Sequence, residues 1–538
     1  MEPVRVHITT YGCQMNRLDA ELVAERLRAS GARIVDEPAD AGVLLFVTCS
    51  VRAHAEDRVF SNIGALKTRK RREPDLVIGL LGCMAQQYGD RLRSRAPLVD
   101  IVCAPGRLAE LPDLIEAART SRTRPVVALD PPRDAPGAPC GPTAGAEAFA
   151  AADAALDEVE IHRPLGGPSP GHAFVTVMRG CDNFCAYCVV PNVRGPERSR
   201  PPGVIVEEVR RLVGQGARQI TLLGQAVNKY AGREGGRTWD LADLIETVAE
   251  TPNLARLAFI TSHPRAMTER LAAVFRNVPA VCPYLHMPAQ SGSDAVLARM
   301  KRGYTAAEYA DRVAMVRAAR PHVAVASDFI VGFPGETEED FEATMDLVRR
   351  MRFSQAFVFK YSPRPGTFAA EHYEDDVPLA DKRRRNQVLL DLMQQVAGED
   401  NRRFVGRTVT IFVEGPSPHP NLHPEKGTGE KGTGSFSGPM EKVPGSFSRR
   451  TEKLPAEKVP GSFSGRMEKG TGSFSGRMEK VPVPFSGPAA GWPQLRGRTP
   501  GNRIVVFDGP TALAGTEVDV EVTASSPLTL FARLPETT

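Results

Sequence analysis

The sequence predicts an α/β protein that ends in a small β domain. The first 125 residues alternate buried strand-like runs with amphipathic segments, a pattern that predicts a parallel sheet. Residues 172–400 contain six further strand candidates, most of them followed by a helical segment. Residues 405–538 contain short apolar runs around a repetitive segment. A chain of 538 residues is too long for one hydrophobic core, so we expect several domains.

In residues 1–125, three apolar runs predict buried strands, and a cysteine follows each run. The runs are Arg5–Tyr11, Val43–Thr48 and Leu76–Leu81, and the cysteines are Cys13, Cys49 and Cys83. An amphipathic stretch such as Asp19–Ala29 separates successive runs. Open α/β sheets bind ligands at the carboxyl ends of their strands. Although buried cysteines are common in cores, this shared position predicts that the three form one site.

A segment rich in proline, alanine and glycine, residues 130–171, follows this region. Pro131-Pro132 and Pro136-Gly137 interrupt regular structure, whereas the run from Ala144 to Ala155 is rich in alanine. The composition predicts a flexible or locally helical linker. We expect no role for Cys140, which lies within it.

The six strand candidates of residues 172–400 predict parallel β/α units. They are Phe174–Met178, Gln219–Leu223, Arg256–Ile260, Tyr284–Met287, Val323–Val331 and Ser354–Phe359. Six units are too few to close an eight-stranded barrel, so we expect an open (β/α)6 partial TIM barrel with its chemistry at the carboxyl ends of the strands. Polar or glycine-rich residues gather at those ends. They include Gly224-Gln225, Asn228, Ser262-His263, Gln290–Gly292, Gly332–Glu336 and Tyr361–Arg364.

The C-terminal region, residues 405–538, carries a low-complexity insertion at about 417–488, in which Gly-Ser-Phe-Ser phrases recur. These units are too short, polar and rich in glycine and proline to bury a core, which favours disorder over a solenoid. A folded domain tolerates such an insertion because the closure entropy of a loop grows only with the logarithm of its length. Val409–Val413 and Arg503–Phe507, on either side of it, predict strands of one small β-barrel.

Composition excludes several classes of protein. No apolar stretch approaches the roughly 18 residues that span a bilayer, and Met1–Arg5 lacks a secretory signal pattern. We therefore expect a cytoplasmic protein without membrane contact, whose nine cysteines are reduced thiols or metal ligands. The net charge of +4 is weak evidence for a nucleic-acid partner, but basic residues cluster at Lys67–Arg72 and Lys382–Arg385.

A second set of cysteines lies in a tight C-x3-C-x2-C loop directly after the first strand of the central region: Cys181, Cys185 and Cys188. A structural zinc site usually completes four ligands with a second Cys or His pair. No such pair follows, and the nearest downstream histidine, His263, is distant. Iron–sulfur clusters that only transfer electrons take four thiolates, so three predict an open metal position. The alternative is an RNA-binding protein with structural zinc, and metal analysis would distinguish the two by finding iron or zinc.

The segment Arg179–Cys188 resembles the signature of the radical S-adenosylmethionine (SAM) superfamily. The resemblance implies that Cys181, Cys185 and Cys188 hold a [4Fe–4S] cluster, whose open iron is chelated by SAM. It also implies that one electron cleaves SAM to a 5′-deoxyadenosyl radical, and that Tyr187 lies against the adenine.

Three polar residues at or near the carboxyl ends of the predicted strands, Gln225, Ser262 and Asp328, are further candidates for binding the cofactor. The remaining histidines and cysteines have blander explanations. We expect His7 and His286 on apolar strands, and Cys103 and Cys282, to be structural.

Six further motifs resemble the methylthiotransferases of that superfamily. They are Thr10–Asn16, Thr48–Arg52, Gly82–Gln86, Gln290–Ser293, Met300–Thr305 and Asp328–Glu336. The resemblance implies that Cys13, Cys49 and Cys83 hold a second [4Fe–4S] cluster, which carries or supplies sulfur. The C-terminal β domain resembles the TRAM module, a small RNA-binding barrel.

The residues of the segment Tyr11–Asn16 resemble those of the methylthiotransferase branch that acts on isopentenylated adenosine at position 37 of tRNA. The resemblance implies methylthiolation of C2 of N6-(dimethylallyl)adenosine. It further implies a monomer that binds the tRNA anticodon loop and takes electrons from reduced flavodoxin or ferredoxin and sulfur from a carrier. A branch acting on threonylcarbamoyl-adenosine and one acting on a ribosomal-protein aspartate are the alternatives. Phosphate contacts are expected from Lys67–Arg72, Arg194, Arg198, Arg496 and Arg498.

Overall fold

The N-terminal part of the computed structural model alternates strands and helices, as predicted. Its elements are β1 (Arg5–Thr10), α1 (Gln14–Ala29), β2 (Arg33–Ile34), β3 (Val43–Thr48), α2 (Ala53–Ala65), α3 (Lys67–Arg72), β4 (Val77–Gly82), α4 (Cys83–Tyr88), α5 (Leu92–Arg95), β5 (Ile101–Cys103), α6 (Leu111–Thr120) and β6 (Val126–Ala128). The strands form one parallel sheet in the order β2–β1–β3–β4–β5–β6. Strands β3 and β4 are buried along their whole length, as in parallel sheets covered on both faces.

A helix, α7 (Ala144–His162), lies within the segment predicted as a linker. It packs against α1 and against the elements that follow it in the chain. Its acidic residues Asp153, Asp157 and Glu160 form ion pairs with arginines on either side of the C-x3-C-x2-C loop.

The central part of the chain contains the six predicted strands within a larger set of elements. These are β7 (His172–Thr176), β8 (Met178–Arg179), α8 (Val190–Arg194), β9 (Arg198–Ser199), α9 (Pro202–Gly214), β10 (Gln219–Leu223), β11 (Ala231–Glu234), β12 (Arg237–Asp240), α10 (Leu241–Ala249), β13 (Arg256–Phe259), α11 (Glu269–Asn277), β14 (Tyr284–His286), α12 (Asp294–Arg299), α13 (Ala306–Ala319), β15 (Ala324–Val331), α14 (Glu338–Met351), β16 (Gln355–Lys360), α15 (Phe368–His372) and α16 (Leu379–Arg402).

Two three-stranded parallel sheets organise this part, in the orders β13–β10–β7 and β14–β15–β16. Backbone hydrogen bonds join β13 to the chain around β14: Cys282 donates to the carbonyl of Leu257 at 2.8 Å, and Ser262 donates to that of His286 at 3.0 Å. Helices α13 and α14 begin at capping boxes, Thr305 with Glu308 and Thr337 with Asp340, which satisfy the free amides of their first turns. The largest hydrophobic core fills the space between these strands and helices.

A closed five-stranded barrel forms the C-terminal part and confirms the expectation of a small β-barrel. Its strands are β17 (Thr408–Pro416), β18 (Gln494–Arg498), β19 (Ile504–Asp508), β20 (Glu517–Ser525) and β21 (Thr529–Arg533), in the order β17–β18–β19–β21–β20. Both predicted strands lie in it. Arg256 of β13 donates to Glu517 at 2.5 Å and to the carbonyl of Arg498 at 2.8 Å, which fastens the barrel to the central part.

The structure describes residues 3–50, 53–120, 125–131, 144–167, 169–418 and 492–535. The predicted disordered insertion and Cys140 lie outside these residues, apart from the first two positions of the insertion. All described residues except Trp492 belong to one compact unit. Within the described ranges, no helix combines the length and apolar character that crossing a bilayer requires.

Candidate active site

The three N-terminal cysteines lie at the ends of three neighbouring strands. Cys13 precedes the first turn of α1, Cys49 directly follows β3, and Cys83 is the first residue of α4, directly after β4. Because β1, β3 and β4 are adjacent in the sheet, the fold gathers cysteines that are 34 or more residues apart in sequence. At Gly12 the backbone has φ +129°, and a Cβ there would lie 2.4 Å from the Cβ of Cys49, so only glycine fits.

Electrostatics distinguish these thiols. A hydrogen bond from Cys49, with the positive charge of Arg194 as a further cause, lowers the pKa of Cys13 to about 6 despite its burial. Burial raises the pKa of Cys83, and Arg194 opposes that rise. Cys13 therefore ionises more readily than Cys83, and thiolate is the form that binds metals.

Asn16, which is fully buried, fixes the first turn of α1 to the neighbouring strand. Its Nδ2 donates to the carbonyl of Thr48 at 2.6 Å, and its Oδ1 accepts from the Sγ of Cys13 at 3.1 Å. Thr48 in turn donates to the carbonyl of Leu81 at 2.7 Å. This chain of bonds connects the ends of β1, β3 and β4. Asn16 belongs to the Thr10–Asn16 motif, but nothing in the sequence around it indicates this bridging role.

The second cysteine set occupies the loop after β8. The amide of Cys181 donates to the carbonyl of Gly195 at 3.1 Å, and that of Cys188 donates to the carbonyl of Cys185 at 2.9 Å. At Gly180 (φ +77°) a Cβ would lie 1.8 Å from the carbonyl oxygen of Pro196, so the tight return of the loop requires glycine. Burial raises the pKa of Cys181 to about 11, and it also raises that of Cys188.

Two side chains donate to the sulfurs of this loop, one from within the loop and one from a distant part of the chain. The Nδ2 of Asn183 lies 3.3 Å from the Sγ of Cys181, and the Nη1 of Arg302 lies 3.1 Å from the Sγ of Cys185. Arg302 also donates to the hydroxyl of Tyr304 at 3.0 Å, and the Tyr304 ring packs edge-on against that of His263. Hydrogen bonds to cluster sulfurs are one of the means by which proteins set reduction potentials.

The predicted cofactor residues lie around this loop and at the carboxyl ends of the strands. Tyr187 packs in an apolar cluster beside the loop, and burial raises its pKa well above the ordinary value. Gln225 lies two residues after the end of β10, and Ser262 lies three residues after the end of β13. The Oε1 of Gln225 and the Oγ of Ser262 are buried and have no hydrogen-bond partner among the described residues. Buried polar atoms normally have a hydrogen-bond partner, so these two are candidates for contacts with a bound polar ligand.

Asp328 lies within β15, where its Oδ1 is 3.4 Å from the Nε2 of His286. The Nδ1 of His286 accepts from the amide of Thr261, next to Ser262. The structure therefore connects Asp328 to Ser262 through His286, and Gln225 to the same loop through the amide of Val227, which donates to Thr261 at 3.0 Å. None of the described hydrogen bonds joins the three candidates directly.

The two cysteine sets meet at one interface. Cys83 forms a small apolar cluster with Val189 and Val193, and Val189 directly follows Cys188. Helix α4, which begins at Cys83, packs against α8, which begins two residues after Cys188. The carboxyl ends of the N-terminal strands and the C-x3-C-x2-C loop are thus neighbours.

Comparison with known proteins agrees with this arrangement. Residues 5–104 match the model of Uncharacterized protein family UPF0004, and residues 175–348 match the Radical SAM superfamily. The tRNA-2-methylthio-N(6)-dimethylallyladenosine synthase of Rhodopirellula baltica is 44% identical over 77% of this chain and 84% of its own length. The protein of that name from Acidithiobacillus ferrooxidans is 45% identical over 77% of this chain and 86% of its own length. The chain belongs to the tRNA-2-methylthio-N(6)-dimethylallyladenosine synthase family.

Among solved structures, the radical S-adenosylmethionine methyltransferase TsrM from Kitasatospora setae matches 69% of this chain and 77% of its own, with a TM-score of 0.47 and 15% identity. This likeness is remote, and nothing about the present family member is inferred from it.

Four arginines that the sequence predicted as phosphate contacts form ion pairs within the protein. The prediction is wrong for Arg194, which is buried, whereas for Arg198, Arg496 and Arg498, whose side chains are partly exposed, it stays a prediction. Arg194 is buried and pairs with Asp19, and Arg198 pairs with Asp153. Arg496 and Arg498 both pair with Glu414, at 2.6 and 2.8 Å. Sequence alone did not reveal these acidic partners because most of them are distant in the chain.

Some residues of the two basic runs also form hydrogen bonds and ion pairs within the protein. In Lys67–Arg72, Arg69 donates to the carbonyls of Pro38, Ala39 and Ala41 in the loop before β3, and Lys70 pairs with Asp100 at 2.7 Å. The exposed residues that remain on α3 include Lys67, Arg71 and Arg72. In Lys382–Arg385, the first residue pairs with Asp375 and the last with Glu336 at 2.8 Å.

In the part of the chain that the structure describes, no three Cys, His, Asp or Glu side chains surround a point closely enough to bind a single metal ion. A closed tetrahedral zinc site is such a group, whereas a cluster of four irons is larger and needs thiols that are spaced more widely. Three thiols, two of them in buried residues and one in a partly buried residue, fit a cluster by their chemistry in each set. Cys103 and Cys282 are buried in apolar clusters that include no cysteine of either set, and His7 bonds to residues of its own sheet region.

Proposed function

We propose that this protein is a tRNA methylthiotransferase that converts N6-(dimethylallyl)adenosine at position 37 into its 2-methylthio derivative. The observation that carries the proposal is the contact between the two cysteine sets, in which Cys83 packs on the residues that follow Cys188. A site that makes an adenine radical must deliver sulfur to it before the radical reacts elsewhere, so two adjacent sets suit this reaction. The names of the curated relatives support the same substrate.

In this proposal Cys181, Cys185 and Cys188 hold the radical cluster, and Cys13, Cys49 and Cys83 hold a second [4Fe–4S] cluster that handles sulfur. When bound, the first cluster and SAM supply the primary carbon radical that can abstract hydrogen from the strong, non-acidic C2–H bond. One SAM is consumed for that step, and a second provides the methyl group.

The chain's own residues bind and orient in this scheme. The unpartnered Oγ of Ser262 and Oε1 of Gln225 are suited to accept polar contacts from SAM, and Tyr187 to pack on its adenine. Asp328, oriented by His286, is suited to bind a hydroxyl or amino group. Asn183 and Arg302 direct N–H groups at the thiolates.

The architecture is included in the proposal. Residues 1–125 form a methylthiotransferase domain, 130–171 a linker, 172–400 a radical SAM domain and 405–538 a TRAM-type RNA-binding domain. The two central sheets, joined by hydrogen bonds around β13 and β14, together make the open (β/α)6 partial TIM barrel. A cytoplasmic monomer would take electrons from flavodoxin or ferredoxin and sulfur from a carrier.

The substrate assignment is tested with reconstituted enzyme and tRNA that bears or lacks the isopentenyl group, with nucleoside mass spectrometry as the measurement. We expect the 2-methylthio product only from isopentenylated tRNA. Equal turnover of both tRNAs would refute the branch. Product on threonylcarbamoyl-tRNA or on a ribosomal-protein aspartate would support the alternatives.

The RNA surface needs its own test because most of the predicted contacts are engaged elsewhere. Lys67, Arg71 and Arg72 on α3 are the exposed candidates. Replacing all three by Gln should weaken tRNA binding and reduce the slope of log K against log salt by about 2, since each single-strand phosphate contact contributes about 0.7. Arg349→Gln, which removes an exposed arginine of α14, is the control.

A further inference from the structure

Arg194 connects the two cysteine sets physically. It is the last residue of α8, six positions after Cys188, and its exposed fraction is only 9%. Its Nη2 donates to the Oδ2 of Asp19 at 2.5 Å, and Asp19 belongs to α1, the helix that Cys13 precedes. Val193, the residue before Arg194, packs on Cys83, and the positive charge of Arg194 opposes the rise that burial causes in the pKa of Cys83. A residue of the C-x3-C-x2-C segment is thus part of the surroundings of the other set.

Six charged side chains, including Arg194 and Asp19, lie close together. Arg194 and Asp19 line a cavity of about 20 Å³, the volume of roughly one water molecule, together with Asp130, Asp153, Arg179 and Arg198. Asp153 already pairs with both Arg179 and Arg198. Arg194 is the member of this group whose neighbour in the chain, Val193, packs on Cys83, and Asp19 is its carboxylate partner.

Three thiolates gathered at one site repel one another, and the buried setting weakens the screening of that repulsion. A guanidinium is always charged and carries five N–H donors in a planar fork, so it can pair with a carboxylate and still reach a sulfur. Asp19 holds the fork in place and adds a negative charge of its own. The positive charge of Arg194 would therefore stabilise negative charge at the three cysteines, and the negative charge of Asp19 would destabilise it.

We infer that Arg194 is a positioning residue of the N-terminal sulfur site, formed by Cys13, Cys49 and Cys83. Although it belongs to α8, which follows the C-x3-C-x2-C loop, it orients that site and stabilises it electrostatically. The inference rests on the proposed function, in that Cys13, Cys49 and Cys83 are taken to hold a cluster. Net charge and hydrogen bonds to sulfur set the potential of such clusters. Loss of Arg194 then makes the cluster harder to reduce, and loss of the Asp19 charge makes it easier to reduce.

The experiment uses the full chain with Cys181, Cys185 and Cys188 all replaced by Ala, reconstituted anaerobically and titrated by EPR. In this background, Arg194→Gln should shift the midpoint potential to more negative values and Asp19→Asn to more positive values. Arg194→Lys should lie between Arg194→Gln and the parent. Arg349→Gln, an exposed arginine, should leave the potential unchanged.

The outcomes separate the inference from the function on which it rests. Shifts of the same sign, or none, with iron retained in both variants would mean that the pair is only a structural ion pair and would overturn the inference. If Arg194→Gln loses its iron, Arg194→Lys and Asp19→Asn still give the sign. A background without iron or sulfide would refute the second cluster itself, and the inference with it.

Discussion

The Nη1 of Arg302 lies 3.1 Å from the Sγ of Cys185, although 117 positions separate the two residues. Arg302 is almost fully buried, and its other donors bond to the hydroxyl of Tyr304 and the carbonyl of Pro288. The guanidinium is therefore fixed from three sides with one N–H directed at a cluster thiol. Its positive charge and its hydrogen bond both favour the reduced cluster.

We expect Arg302→Gln to lower the rate of 5′-deoxyadenosine formation about 10- to 100-fold, the usual cost of losing a partner of a metal ligand. The cause would be a cluster that is harder to reduce. Lys301→Gln is the matched control, because it removes the same charge from the adjacent, exposed residue. Equal rates for the two variants would mean that the hydrogen bond to Cys185 does not matter.

The two clusters should be separable by single cysteine variants. Cys185→Ala should lose about four irons per chain and all 5′-deoxyadenosine formation. Cys49→Ala should keep SAM cleavage, because the radical loop is held by other contacts, yet fail to insert sulfur. Iron content, deoxyadenosine yield and 2-methylthio product are the three measurements. If Cys49→Ala lost SAM cleavage while the radical site kept its iron, a single shared centre would be indicated.

Local pattern predicted much of this fold. The predicted apolar runs match strands to within three residues at each end, but strands such as β5, β18 and β20 were not predicted. The position of Cys13, Cys49 and Cys83 after three of the runs indicated one common edge, because parallel strands share direction. The tight spacing of Cys181, Cys185 and Cys188 carried its own chemical signal. In each case the information lies within a few residues of the chain.

Partners across long distances in the chain were not predictable. Arg194 was taken for a phosphate contact because nothing near it in sequence shows that Asp19, 175 positions away, binds it. Helix α7 looked like a spacer because alanine dominates its composition. Its acidic residues Asp153, Asp157 and Glu160 do recur at helical spacing, which could have indicated one charged face.

That acidic face leads to a stability prediction. Glu160 is fully buried, accepts from the amide of Thr176 at 2.9 Å and pairs with Arg179 at 2.7 Å, two residues before Cys181. Glu160→Gln should lower the free energy of unfolding by about 1–3 kcal/mol, because it removes one of the carboxylates that bond to Arg179, which keeps Asp153 and Asp157 as partners. Denaturant titration measures this. Glu158→Gln, an exposed position on the same helix, should change stability little, and an equal loss there would contradict the prediction.

His172 is the basis of a pH prediction. It lies at the start of β7, where its Nε2 is 2.9 Å from the hydroxyl of Thr221 and its ring packs edge-on against Phe174 and Phe412. Burial lowers its pKa from 6.5 to about 4. The unfolded chain thus binds a proton at this residue over a pH range in which the folded chain does not.

The sign follows from that difference in proton binding. Stability from a neutral His172 is fully present above pH 6.5 and is lost as the pH falls towards 4, by about 1 kcal/mol at pH 5.5 and about 3 kcal/mol in all. His172→Gln should therefore reduce the difference in unfolding free energy between pH 7.5 and pH 5.5 by about 1 kcal/mol, measured by urea titration of the apoprotein. The exposed His322→Gln serves as the control and should leave the difference as in the parent. An unchanged pH dependence in His172→Gln would show that His172 takes up its proton without loss of the fold.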